Sequence, residues 1–255
     1  MAAGRFLVTG VALAAGADVA LPDEVAHQAR DVLRLAPGDT LWLLDGAGSE
    51  YPATLLTVDR KWVIARLGER VAGVAEPPVR ITLCQGMLKA AKFEWVLQKG
   101  TELGVTTFIP LLTERAVAAT DELGAAKQRR YARILAEAME QCGGVWLPQL
   151  APPRPLAHAL ASLPPDAIAL IPWEAERATT LRAALTHAVA ARRVSGQAVG
   201  EVRLFIGPEG GFAPGEIALA QRLGATPVTL GRRILRAETA ALVAVTLTLD
   251  TLDTL

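Results

Sequence analysis

Two short segments near the carboxyl end of this chain bring together the residue types that a ligand site needs. Leu204-Phe-Ile-Gly-Pro-Glu-Gly-Gly211 runs from an apolar strand into a loop of glycine, proline and carboxylate. Further on, Leu230-Gly-Arg-Arg-Ile-Leu-Arg-Ala-Glu-Thr-Ala240 runs from a second apolar stretch into a loop of arginines and a glutamate. Glycine lets main-chain N–H and C=O groups approach a flat ligand, because no Cβ stands between them. Loops at the carboxyl ends of neighbouring strands form the crevice in which open α/β sheets bind ligands. Arg232, Arg233 and Arg236 with Glu209 and Glu238 place charge beside that crevice. The chain has neither Gly-x-Gly-x-x-Gly nor Gly-x-x-x-x-Gly-Lys, so the ligand need not be a dinucleotide or a phosphate. Alone, residues 207–214 also read as a plain strand-to-helix turn with Pro214 opening the helix. The arginine segment that follows favours the site.

The bulk numbers bound what such a site serves. At 255 residues the chain is one large domain or two smaller ones. Half of it is apolar, ample for a core and against disorder. Lys and Arg number 26 and Asp and Glu number 26, so affinity for nucleic acid must come from a local patch. Cys84 and Cys142 stand far apart in sequence, which argues against a disulfide framework and for two buried, unreactive thiols. His27, His158 and His187 are scattered and show no metal-ligand spacing. No apolar run is long enough to span a bilayer. Phe6 to Gly16 mimics a weak signal peptide after Arg5, but Thr9 and Gly10 interrupt it, and a first strand is the better reading. The expectation is a cytoplasmic protein that requires no metal.

The elements that must position the loops fall into two rhythms. Residues 1–75 read as a small β-rich domain with strands at Leu41–Leu44, Tyr51–Val58 and Trp62–Leu67, turns at Asp45–Gly48 and Asp59–Lys61, and one helix from Asp23 to Leu35. Glu76-Pro-Pro78 reads as a linker. Residues 76–255 alternate strand and helix. Strands are expected at 79–87, 106–112, 167–173, 202–206 and 226–230, and helices near 90–103, 124–142, 178–193, 214–223 and 238–253. That alternation predicts a mostly parallel sheet with helices on both faces. The prolines from Pro152 to Pro165 mark a loop-rich connection with room for a short helix. In the last helix Leu242, Val245, Leu249 and Leu252 fall on one face at helical spacing, and a strand is the competing reading.

These segments, with His27-Gln-Ala-Arg-Asp-Val-Leu-Arg-Leu-Ala-Pro-Gly38, Phe93-Glu-Trp-Val-Leu-Gln-Lys-Gly-Thr-Glu-Leu-Gly-Val105 and Glu140-Gln-Cys-Gly143, carry a family resemblance in order along most of the chain. They resemble the SPOUT superfamily of knotted methyltransferases, and within it the RsmE-type enzymes that methylate uridine N3 in small-subunit ribosomal RNA. The resemblance implies a PUA-like β-barrel followed by a SPOUT-type, trefoil-knotted α/β domain. It also implies S-adenosylmethionine as cofactor, a homodimer, and small-subunit ribosomal RNA or its assembling particle as partner. A SPOUT enzyme for another RNA, such as transfer RNA, and a non-catalytic assembly factor are the rival readings.

Residue roles follow from the resemblance. Cofactor contacts are expected from Leu170, Gly207, Pro208, Glu209, Gly210, Gly211, Leu230, Gly231, Ile234, Leu235, Thr239 and Ala240. A valine at Gly210 is expected to fill the crevice. Methylation at N3 needs the proton removed and the charge that spreads onto the uracil oxygens stabilised. Arg236 is the candidate for the second task, and Glu209 or Glu238 for the first; a mutual Arg236–Glu238 ion pair is the competing structural role. RNA contacts are expected from His27, Arg30 and Arg34 on one helix face, with Val25, Ala29 and Val32 packing inward, and from Lys92, Lys99, Arg232 and Arg233. Singly, each of these reads as a solvated face. Three positions depart from the family pattern: Ala213 where a hydroxyl would cap a helix, Arg232 in place of proline, and Gly144 in place of arginine.

Overall fold

The computed structural model describes residues 4–73, 78–116 and 123–253, with Ala90 described by its backbone alone. Of the expected linker, Glu76 and Pro77 lie outside the described residues. The chain forms two compact units, one of residues 1–76 with 136–147, the other of residues 77–135 with 148–255.

In the first unit β1 (Arg5–Leu7), β2 (Asp18–Ala20), β3 (Thr40–Leu44), β4 (Ser49–Val58), β5 (Val63–Leu67) and β6 (Val71–Ala72) form a sheet in the order β1-β3-β4-β5-β2, with β6 on β4. Strand β4 shows the period of two that builds it: Ser49, Tyr51, Ala53 and Leu55 turn inward. Phe6 of β1 and Val19 of β2, at opposite ends of the sheet, share one apolar core with Leu41, Leu43 and Leu67, so the sheet curls around it. Asp45 shapes the β3–β4 turn by accepting from the backbone N–H groups of Ala47 (2.7 Å) and Ser49 (2.9 Å).

The expected helix from Asp23 to Leu35 is two pieces. α1 (Asp23–His27) passes into a π-helical turn, Gln28–Val32, in which the Leu33 N–H reaches back to the Gln28 carbonyl. The wider turn shifts the helical phase. Val25 and Ala29 are buried as expected, but Val32 is 63% exposed, a correction to its inward assignment. Arg34 leaves the helix with a left-handed backbone (φ 55°) and does not continue the face of His27 and Arg30.

Residues 136–147, read from sequence as part of the second domain, group with the first unit. Met139 and Val145 pack on Leu44, and the Glu140 carboxylate accepts from the Leu7 N–H at 2.6 Å. Arg5 donates to the Gly143 carbonyl at 3.3 Å. The Glu140-Gln-Cys-Gly143 motif thus anchors β1. Cys142 is exposed, contrary to expectation, because Met139 takes the inward position of this last turn.

The second unit alternates β7 (Arg80–Gly86), α2 (Ala90–Glu102), β8 (Thr107–Leu112), α3 (Ala125–Cys142, whose last turns belong to the first unit), β9 (Gln149–Leu150), β10 (Arg154–Pro155), α4 (Leu156–Ala161), β11 (Ala167–Pro172), α5 (Leu181–Val194), β12 (Glu201–Ile206), α6 (Pro214–Arg222), β13 (Thr226–Val228) and α7 (Ala237–Thr251). The sheet is parallel in the order β10-β8-β7-β12-β11-β13, with β9 also on β8. Every residue of β12 is buried, as a central strand covered on both faces requires. Cys84, Ile109, Ile171 and Phe205 pack with α4 and α6 on one face, while α7 packs on β7 and β12 with α2 and α5 beside it.

The C-terminal segment is a helix, not a strand. Its buried face is Ala241, Ala244, Val245, Thr248 and Leu249. Leu242 and Leu252 are only half-buried, a correction to the expected stripe. Small side chains bring α7 close to the sheet, and the Thr248 hydroxyl satisfies itself on the Ala244 carbonyl at 2.8 Å.

Candidate cofactor crevice

Strands β12, β11 and β13 end side by side, and the loops that follow them enclose a cavity of about 430 Å³. It lies at the carboxyl edge of a parallel sheet, where such folds place ligands, and its size is that of small-molecule sites, roughly 300–1,000 Å³. The loop after β12 contributes Gly207 to Phe212, the loop after β13 contributes Thr229, Leu230, Gly231, Arg233, Ile234 and Leu235, and the start of α7 contributes Arg236, Ala237 and Ala240. Trp173, Glu174 and Arg177 after β11 and Lys92 from α2 complete the wall.

The first loop is held from behind. The buried Gln85 amide at the end of β7 donates to the carbonyls of Gly86 (3.1 Å) and Gly207 (3.3 Å). A Cβ on Gly86 would stand 2.5 Å from the Pro208 nitrogen, so only glycine lets the loop cross β7 there. Arg115 donates to the carbonyls of Gly210 (3.2 Å) and Phe212 (3.5 Å). A Cβ on Gly210 would meet Arg115 at 3.0 Å, which corrects the expectation that a valine there fills the crevice. The second loop is pinned where the Thr229 hydroxyl bonds both the N–H and the carbonyl of Gly231, itself at φ 126°. Without a hydroxyl at Ala213 only the reciprocal half of a capping box forms: the Glu216 carboxylate accepts from the Ala213 N–H (2.8 Å) and from the Glu114 N–H (3.0 Å).

Charge in the crevice is arranged around Lys92. Its ammonium lies 3.3 Å from Glu209 and 3.7 Å from Glu238. Burial alone would raise the Glu209 carboxyl, but hydrogen bonds from its own N–H, from Lys92 and from the Lys89 N–H hold it below its ordinary value. Glu238 differs. Its Oε2 is buried and accepts no hydrogen bond; the Lys92 contact is too long for one. Arg236 forms no ion pair among the described residues, so the Arg236–Glu238 pair considered from sequence is absent; its side chain is exposed at the rim.

A model of an RNA methyltransferase domain matches residues 75–249, and a model of an RNA methyltransferase PUA domain matches residues 21–68. The ribosomal RNA small subunit methyltransferase E of Synechocystis sp. is 36% identical over 229 residues, 89% of this chain and 71% of that protein. The chain belongs to this methyltransferase family. The Bacillus subtilis member is 29% identical over 87% of this chain and 85% of its own. The crystal structure of the Neisseria gonorrhoeae enzyme bound to S-adenosyl methionine superposes with a TM-score of 0.83 at 31% identity, covering 98% of both chains.

Relative to that family, the residues singled out from sequence separate into three groups. Gly207 to Gly211, Leu230, Gly231, Ile234, Leu235, Arg236 and Ala240 line the cavity, as do Lys92 and Arg233. Leu170, Glu238, Thr239 and Arg232 do not. Leu170 lies mid-strand, paired with Leu204 and 1% exposed, so its side chain belongs to the core under the crevice. Thr239 is exposed on the first turn of α7. Away from the cavity, Lys99 pairs with Glu102 at 2.7 Å, and His27 and Arg30 both meet Asp31 at 2.6 Å. Hydrogen bonds from Arg30 and His27 draw the Asp31 carboxyl down to about 2. Gln85, Gly86, Arg115, Trp173, Glu174 and Arg177 were not singled out. They come from the end of β7 and from the loops after β8 and β11, and only the strand order brings them to one edge.

Proposed function

We propose that this chain transfers a methyl group from S-adenosylmethionine to N3 of a uridine in small-subunit ribosomal RNA, acting as a cytoplasmic homodimer with a knotted C-terminal domain. The observation that carries the reading is the single crevice shared by residues 207–211 and 230–240, with an unpaired guanidinium at its rim.

The residues present fit the cofactor. Leu230, Ile234, Leu235 and Trp173 offer apolar wall to a purine, and the glycine-rich loops offer main-chain donors and acceptors at close range. Glu174 and Glu209 supply negative charge for a cationic ligand. When bound, S-adenosylmethionine supplies an electrophilic methyl on a sulfonium. The chain's own work is to hold the acceptor base in line with it and to exclude water. Arg236 stands where it can stabilise negative charge on the uracil oxygens. Of the two carboxylates, Glu209 lines the cavity, whereas Glu238 lies outside its lining with Oε2 buried 3.7 Å from the Lys92 ammonium, so Glu209 is the better candidate to take the proton.

The test is methyl transfer from labelled cofactor into small subunits that lack the modification, with the product nucleoside identified after digestion. The expected product is 3-methyluridine. A different methylated nucleoside would refute the position, and cofactor binding without transfer to small-subunit RNA would refute the substrate.

A further inference from the structure

The β4–β5 hairpin tip, Asp59 to Trp62, is far more tightly built than a surface turn requires. Asp59 accepts at one carboxylate oxygen from the N–H groups of Lys61 (2.8 Å) and Trp62 (2.7 Å), and its own N–H donates to the Trp62 carbonyl at 3.0 Å. Arg30 reaches across from the π-helical turn to the carbonyls of Asp59 (3.0 Å) and Arg60 (3.4 Å). This framework presents Trp62 to solvent at 53% exposure, the most exposed aromatic side chain among the described residues. The Lys61 ammonium lies 5.6 Å from the centre of its ring.

Cations gather at the same spot. In this unit Arg5 is paired with Glu50 and Arg66 with Asp18. Arg60 and Lys61 form no ion pair among the described residues. The nearby carboxylates of Asp31 and Asp59 are already occupied, the first by Arg30 and His27, the second by backbone N–H groups. The tip therefore offers one exposed aromatic face beside two cations that outnumber its single carboxylate. That combination suits a nucleobase with its flanking phosphates, because every base has a π-face and stacking needs no particular sequence.

We propose that Trp62, with Arg60 and Lys61, is a stacking site for an unpaired nucleotide of RNA. The proposal rests on the RNA-methyltransferase reading and extends it to the first unit. The base lies on the ring face away from Lys61, and the two cations hold the adjacent phosphates. Because hydrogen bonds already hold the backbone of the turn, less backbone ordering opposes association.

The test uses the full-length protein and the anisotropy of two fluorescein-labelled probes, an oligouridylate of about a dozen nucleotides and an RNA duplex of equal length. Trp62→Ala is expected to weaken single-strand binding by about 5- to 150-fold and to leave duplex binding unchanged. Trp62→Phe, which keeps a ring, should stay close to wild type. The pair Arg60→Gln and Lys61→Gln should weaken both probes and reduce the log–log salt slope for the single strand by about 1.4. An unchanged circular-dichroism spectrum and melting temperature report an intact fold in each variant. The stacking site is overturned if Trp62→Ala binds the single strand like wild type, if it weakens both probes equally, or if Trp62→Phe loses as much as alanine. It is also overturned if Trp62→Ala keeps its RNA affinity but no longer associates with assembled small subunits, for the tip would then dock protein. Methyl transfer by the wild-type protein is measured alongside: transfer with an unaffected Trp62→Ala variant sinks this site alone, and no transfer sinks the reading beneath it.

Discussion

Arg236 and Gly86 show how single residues at this crevice act through different physics. Arg236 has an extended backbone just before α7 and an exposed side chain without an ion-pair partner among the described residues. Its contribution is to charge that develops during reaction, so Arg236→Ala should abolish methyl transfer while cofactor affinity stays within a few-fold. Calorimetry paired with a transfer assay checks this; a wild-type rate removes Arg236 from the mechanism. Gly86 works by the absence of a side chain. Gly86→Ala puts a Cβ 2.5 Å from the Pro208 nitrogen, a backbone atom that cannot rotate away. The loop must shift, and cofactor affinity should fall by about tenfold or more while overpacking destabilises by about 1–3 kcal/mol. A titration of the variant decides it, and retained affinity would show that the loop does not need that path. Arg236 and Glu209 were legible in sequence because they sit in the motif itself. Gly86 and Gln85 were not, since nothing in a strand's own pattern says which loop will cross its end.

At the scale of elements, local signals were read correctly where one element satisfies itself and misread where a neighbour intervenes. α6 illustrates the first case. Ala213 makes no side-chain cap, and Glu216 supplies only the reciprocal half of a capping box. Ala213→Ser adds the missing acceptor, so a gain of about 1 kcal/mol is expected, seen as a rise of about 2–4 °C in the melting temperature of the purified protein. The helix after Asp23 illustrates the second case. Regular spacing predicts one amphipathic helix, but the π-helical turn rotates Val32 to solvent and ends before Arg34. Hydrogen bonds from Arg30 and His27 hold Asp31 at about 2, below its ordinary 3.8. A depressed carboxyl stabilises the fold fully above the unfolded value and loses that contribution as pH falls through the folded one. The turn should therefore keep this pair intact down to roughly pH 3 and lose it near pH 2. An NMR titration of the Asp31 carboxyl checks the value; a midpoint near 4 would show the pair is not formed in solution.

Across the whole molecule, the boundary between units does not follow the chain. The turns of α3 after Leu135 and the segment to Leu147 complete the first unit by covering Leu44 and capping the Leu7 N–H. A fragment of residues 1–76 lacks those partners and leaves the fully buried Leu44 uncovered. It should unfold at lower temperature and less cooperatively than the same unit in the intact protein, as thermal melts followed by circular dichroism would show. An equally stable fragment would mean that the inserted segment adds nothing. The composition gave no sign of this arrangement, because a helix that serves two units has an ordinary periodic sequence throughout.

What the sequence determined by itself is the kind of structure and the pair of loops that matter. Alternating apolar strands and amphipathic helices can bury their faces only as a covered parallel sheet, and glycine followed by charge can do little at a strand end except admit a ligand. What tertiary structure alone decided is which other residues join those loops. Lys92 turned from an open surface cation into the partner of Glu209 and Glu238, Leu170 turned from ligand contact into core, and Gln85 became the support of Gly207. The reason is strand order. β7 and β12, and likewise β11 and β13, are neighbours in space but not successive strands in sequence, and contacts between elements distant along the chain leave no local pattern to read.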